Sequence, residues 1–178
     1  MSAVGFKDFF RSHRSGGAAL PPLTLWLEER DWDTEGGEGE HLDGHGFGLR
    51  DEDDRALAWD DSILAASGVL VLKVAGTSHR LSQIQDDRLG SGSSLLLRPD
   101  PENAYDENAV GVWDASGRVQ AGFVPADSAE ELGQRLKRER LEVFCLWEWR
   151  DGSGQRCGLR MLIHPPRVGL RRQPKRLR

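Results

Sequence analysis

Four short apolar stretches, each closed by glycine or proline, set the strongest constraint on what this chain can fold into. They are GVLVLKVAG (68–76), SSLLLRPD (93–100), AVGVWD (109–114) and RVQAGFVP (118–125). Each is too short for a helix that could bury itself, and each is rich in β-branched or apolar residues, so each reads as a strand. Ser116-Gly117 is a hairpin turn between the third and fourth. Ser128 followed by Glu131 then matches a capping box, with Asp127 or Ser128 as the cap, and Ala129, Leu132 and Leu136 give a helical stripe. LEVFCLWEWR and QRCGLRMLIHPP close the run as a hairpin around Asp151-Gly152-Ser153-Gly154. Six strands and a helix over residues 68–164 predict a mainly β fold with flanking helices, closed as a small six-stranded β-barrel.

The flanks have a different texture. Residues 1–60 carry 14 acidic and 6 basic side chains, a net of −8, whereas 165–178 carry six basic and no acidic ones. Three regions follow: an acidic, Gly-rich, partly flexible N-terminal segment (1–67), the barrel (68–164) and a basic tail (165–178). Val4, Phe6, Phe9 and Phe10 outline a weak amphipathic helix, and PLTLWLEERDW reads as a strand. TEGGEGEHLDGHGFG lacks periodicity and reads as a linker. His41, Asp43 and His45 alternate within it, as Asp51 to Asp54 cluster beyond it, but a solvated acidic loop preorganises no metal site. DEDDRALAWDDSILAAS suggests a short helix. Cys145 and Cys157 lack zinc-site spacing and read as reduced thiols. No stretch reaches the roughly 18 apolar residues of a membrane span, and no export signal is read, so the expected location is cytoplasmic.

The recognisable core is RPDPENAYDENAV (98–110), followed by a turn and GFVP (122–125). Preceded by VAGTSHR and followed by the helix, this segment resembles the HIRAN domain, in particular its stand-alone bacterial type. HIRAN modules also stand at the front of repair helicases such as helicase-like transcription factor. The resemblance implies an OB-like barrel that binds nucleic acid, probing single-stranded DNA or a DNA 3′ end in a repair or defence setting. It implies binding roles for Asn103, Tyr105 and Asp106, the positions matching the Asn, Tyr and Asp that grip a 3′-hydroxyl in the helicase relatives. The helicase module's Arg-Tyr pair is here Leu72 and Lys73, and its later Lys falls where Phe123-Val124-Pro125-Ala126 stands.

The residues themselves leave two readings of this loop. Asn103, Asp106 and Asn108 are suited to Asx turns that tie a loop to its own backbone. Tyr105 offers a face for base stacking, and a neighbouring carboxylate favours a strand end over a continuing phosphodiester. Lys73, His79, Arg80 and Arg98 are the candidate phosphate contacts, with Asp100 an alternative partner for Arg98. Trp147 and Trp149 share a strand face with Val143 and Cys145 and are either packing or a stacking surface. The tail could attract phosphates without regard to sequence. No phosphate loop, nucleophile elbow or Cys/His pair is present, so the expectation is a non-catalytic module without a cofactor. Zinc-binding and hydrolase labels that accompany the family belong to RING and helicase domains fused to it elsewhere. The competing function is a protein-interaction adaptor, with the barrel as scaffold and the N-terminal segment meeting a partner.

Overall fold

The computed structural model describes residues 23–35 and 41–173. The helix expected over residues 1–20 lies outside them. The strands are β1 (Thr24–Glu35), β2 (His41–Arg50), β3 (Ala56–Leu57), β4 (Leu70–Lys73), β5 (Ser94–Pro99), β6 (Val110–Asp114), β7 (Gln120–Phe123), β8 (Glu142–Arg150), β9 (Arg156–His164) and β10 (Gly169–Arg172). Helix α1 (Ser62–Ala66) follows β3, and α2 (Ala126–Leu136) follows β7. The fold is mainly β, as expected, but the predicted six-stranded barrel gives way to one ten-stranded sheet whose ladders do not close. Six strands fall within 68–164, in the order β4-β9-β8-β5-β6-β7. The two ends of that run meet only at one bridge, where Ala75 and Phe123 exchange hydrogen bonds of 2.8 and 2.9 Å.

Two cores result. The inner one gathers Leu70, Val74, Leu95, Leu97, Val110, Val112, Val143, Cys145, Met161 and Ile163 inside the six-strand run, with Ala129 and Leu132 of α2 against it. The outer one lies on the far face of β8 and β9, where Leu146 and Leu162 meet Leu25 and Leu27 of β1, Phe47 and Leu49 of β2, Leu64 of α1 and Val168. A bulge between Cys145 and Trp147 lets one strand serve both. It reverses the alternation, so Cys145 points inward while Trp147 packs outward, 6.0 Å from the Trp59 ring. The single face expected for Val143, Cys145, Trp147 and Trp149 is therefore two faces.

The presumed linker is also corrected. Residues 41–50 form β2, which pairs antiparallel with β1 along its whole length and with β8 from Asp43 to Gly46. Its glycines are there for close approach. A Cβ on Gly44 would stand 2.5 Å from the Trp147 ring, and one on Gly46 would meet the Leu146 carbonyl. The tail likewise begins as structure: Gly169–Arg172 pairs parallel with β1 because Val168 and Leu170 enter the outer core. Strands β1, β2, β3 and β10 thus belong to the sheet. The capping box does not form either. Pro125 precedes the first turn of α2, and the Ser128 hydroxyl donates to Asp127 instead.

A buried ion pair fixes the long connection between β4 and β5. Arg156 Nε donates to Glu148 at 3.0 Å, both side chains being buried, and its Nη1 donates to the carbonyls of Ile84 and Asp86. Gln85 bonds both backbone groups of Arg156, and the Ser91 amide donates to Glu148 at 2.9 Å. Burial pushes the Glu148 carboxyl up, but the Ser91 amide, Arg156 and Arg150 outweigh it and hold it below the ordinary glutamate range. A depressed native pKa contributes stability that is complete above the unfolded value, about 4.3, and is lost as pH falls from there through the lower native value. Glu148→Gln, which strands a buried guanidinium, is expected to lower urea-unfolding stability at neutral pH by about 3–5 kcal/mol. Its deficit against wild type shrinks as the titration is repeated toward pH 3.

Candidate nucleic-acid interface

The loop between β5 and β6 is tied by its own short polar side chains. Asp100 and Ala109 continue the ladder with a 2.8 Å bond from the Asp100 amide. Asn103 Oδ1 accepts from the amides of Tyr105 (3.0 Å) and Asp106 (3.3 Å), while its Nδ2 donates to Asp100. Asp106 Oδ1 accepts from the Asn108 amide at 2.8 Å. The locks are thus Asn103 and Asp106, whereas Asn108 is held and its side chain is exposed. Asp100, occupied by Asn103, does not pair with Arg98. This closed turn leaves Tyr105 at its tip, 99 % exposed.

The outward positions of the neighbouring strands carry aromatic rings beneath cations. On β5, Leu95 and Leu97 point to the inner core, so Leu96 and Arg98 point out. On β6, Val110 and Val112 point in, and Trp113 points out. Its indole lies across Gly111, where a Cβ would stand 2.6 Å from Nε1. The Arg98 guanidinium sits 5.0 Å over the Trp113 ring. Gly111 pairs with Phe123 of β7, and Arg80 sits 5.5 Å over that ring. Gly76, at φ 74, starts the Thr77–His79 turn that brings Arg80 back there, and leaves His79 exposed. Among the described residues neither Arg80 nor Arg98 is in an ion pair, so both charges remain available to an anion.

Lys73 lies on the outward side of β4, directly opposite Arg160 of β9. Its ammonium is 5.5 Å from the Trp149 ring. Leu72, next to it, is half-buried and packs against the inner core. The seven predicted positions thus divide among the loop (Asn103, Tyr105, Asp106), the β5–β7 face (Arg98, Arg80, with His79 at its edge) and β4 (Lys73). Trp113 and Phe123 were missed as site residues. The available signal was the outward parity of Trp113 next to Gly111. Among the described residues no three His, Cys, Asp or Glu side chains come together. Cys145 is a free thiol, and burial pushes it up to about 12, while the Cys157 thiol donates to the Trp149 carbonyl. No helix among the described residues is long and apolar enough to cross a membrane.

The profile that describes the HIRAN domain matches residues 67–157, half of the chain. The chain belongs to the HIRAN family. That match covers β4 through the start of β9, and so takes in the loop and the β5–β7 face. Among solved structures, the HIRAN domain of human HLTF is 21% identical, with 53% of this chain and 74% of that chain covered and a TM-score of 0.40. A protein from Lactobacillus plantarum is likewise 21% identical, over 52% of this chain and 89% of that one, with a TM-score of 0.38. No curated protein matches. The first strands and the tail strand of the sheet lie outside the HIRAN match.

Because Asn103 makes three of the loop's bonds, its removal should loosen the tip without touching either core. Asn103→Ala is expected to cost about 1 kcal/mol, the worth of one or two net hydrogen bonds. It should also speed hydrogen exchange at the Tyr105 and Asp106 amides, while Asn103→Asp, which keeps the acceptor but sets a carboxylate against Asp100, speeds it less.

Proposed function

We propose that this HIRAN protein is a non-catalytic module that holds single-stranded DNA by a free end. The observation that carries the reading is Tyr105: a tyrosine 99 % exposed on a loop held rigid by its own side chains. A ring presented this way loses little conformational freedom when a base stacks on it, and such stacking contributes about 1–3 kcal/mol. Charge around it favours an end. The loop carries Asp100, Glu102, Asp106 and Glu107 and no cation, so a phosphodiester running over it would be repelled. A terminal hydroxyl carries no charge and can donate to Asp106. From there the backbone leads onto the β5–β7 face, where Arg98 on Trp113 and Arg80 on Phe123 supply positive charge and ring surface together. The single bridge between Ala75 and Phe123 draws the ends of the six-strand run together and supports an OB-like function for it, without a full barrel ladder.

The test is fluorescence anisotropy with short labelled strands bearing a free or a blocked 3′-hydroxyl, at two salt concentrations. Wild type is expected to bind in the micromolar range, preferring the free end. Tyr105→Ala touches no core contact and should weaken binding about 5- to 100-fold. Asp106→Asn keeps the oxygen that caps the Asn108 amide, so its fold survives while the preference for the free hydroxyl is lost. Binding unchanged in both variants would remove the loop from the site. Absence of binding by wild type would leave the adaptor reading in its place.

A further inference from the structure

The outward surface does not stop at Phe123. Phe123 is bridged to Ala75 at the end of β4, and Lys73 lies two residues before Ala75 on the same face, within about 7–8 Å of Phe123 by strand geometry. Lys73 in turn stands directly opposite Arg160 of β9 in the antiparallel ladder. Like charges in that position repel and destabilise a sheet, and among the described residues no carboxylate pairs with either one. The nearest acid in the ladder, Glu148, faces the other way and is engaged by Arg150 and Arg156. Arg160 lies 4.0 Å over the Trp59 ring and 5.4 Å from the Trp149 ring. Its Nε is buried without a hydrogen-bond acceptor. Desolvation lowers its pKa from the usual arginine value, the mark of a charge short of a counter-ion.

Packing alone does not account for this arrangement. An arginine that only glued Trp59 to β9 would gain by pairing with a carboxylate, as Arg50, Arg135 and the buried Arg156 do. Here two cations come within 5.5 Å of one indole, and among the described residues no carboxylate pairs with either. We infer that Lys73 and Arg160, framed by Trp149 and Trp59, form a phosphate seat that extends the single-strand path from β5–β7 across β4 to β9. Lys73 and Trp149 lie within residues 67–157 and Trp59 and Arg160 outside them, so half of this seat is built by parts of the chain beyond the family match. The inference rests on the single-strand reading above and assigns that strand's second anchoring point.

The experiment compares salt dependence in wild type, the double variant Lys73→Gln/Arg160→Gln, Arg160→Lys and Tyr105→Ala, using one single strand long enough to span the face. Each lost phosphate contact reduces the slope of log affinity against log salt by about 0.7 for a single strand. The double variant should therefore show a slope shallower by about 1.4. Between about 50 and about 200 mM salt, wild type should lose roughly 7-fold more affinity than it does. Arg160→Lys keeps the charge, so it should keep the slope; Tyr105→Ala should weaken binding and leave the slope as it is. Circular dichroism and urea unfolding establish that each variant is folded. Should the double variant misfold, Arg160→Gln alone is read, with a slope shallower by about 0.7. A wild-type slope in a folded variant, with strand binding intact, overturns the seat and spares the single-strand reading. No strand binding by wild type overturns both.

Discussion

The bulge in β8 between Cys145 and Trp147 is the constraint on which the rest of the structure depends. A regular strand shows one set of side chains to each face along its whole length, and could not line the inner core with Val143 and Cys145 and then turn Trp147 and Trp149 outward. One inserted residue does so. The first half of β8 then pairs with β5 and the second with β2, while β9 runs along its other edge. The outer core, with the hairpin β1–β2 and strand β10, is a consequence of that switch. So is the outward position of Trp149, against which Lys73 and Arg160 come to rest.

The ion pair of Glu148 and Arg156 sits just past the bulge and performs a different task. Buried pairs are weak sources of net stability, because desolvation offsets most of their attraction. What this pair supplies is placement. Residues 76–93 run without a strand of their own, and Arg156 and Gln85 hold their backbone through four of the bonds described above. That placement returns Arg80 to the ring of Phe123. A structural network on the inner side thus sets the position of a cation on the outer side.

The strands within 68–164, the turn at Ser116-Gly117 and α2 were legible in the sequence, because each announces itself over a few neighbouring residues. The locked loop was legible for the same reason: Asn103 and Asp106 bond to amides two or three residues away. The bulge was not, since Cys145-Leu146-Trp147 reads as an ordinary alternating strand until its partner is known. The glycines of β2 looked like a linker, and their meaning lies in Trp147, about a hundred residues further on. Likewise nothing near Arg160 in the chain points to Trp59 or Lys73. Resemblance to the HIRAN family supplied the loop residues and the position of Lys73, and could not supply Trp59 or Arg160, which lie outside the match.

A protein with a formal net charge of −5 gains no attraction for a polyanion from its total charge, so attraction depends on where its cations are put. Here they are laid on rings: Arg98 on Trp113, Arg80 on Phe123, Lys73 and Arg160 on Trp149. A guanidinium flat on an indole keeps its donors directed outward and gives up less side-chain freedom on meeting a phosphate than a free arginine would. The same rings give a base something to stack on. Acid is concentrated instead in the loop that bears Tyr105, where a phosphate would be refused. In the proposed reading this polarity sets the direction of binding: the uncharged end of a strand goes to the acidic loop, and its charged backbone goes to the ring-borne cations. Orientation then follows from the order of charges along the surface, with no base identity read.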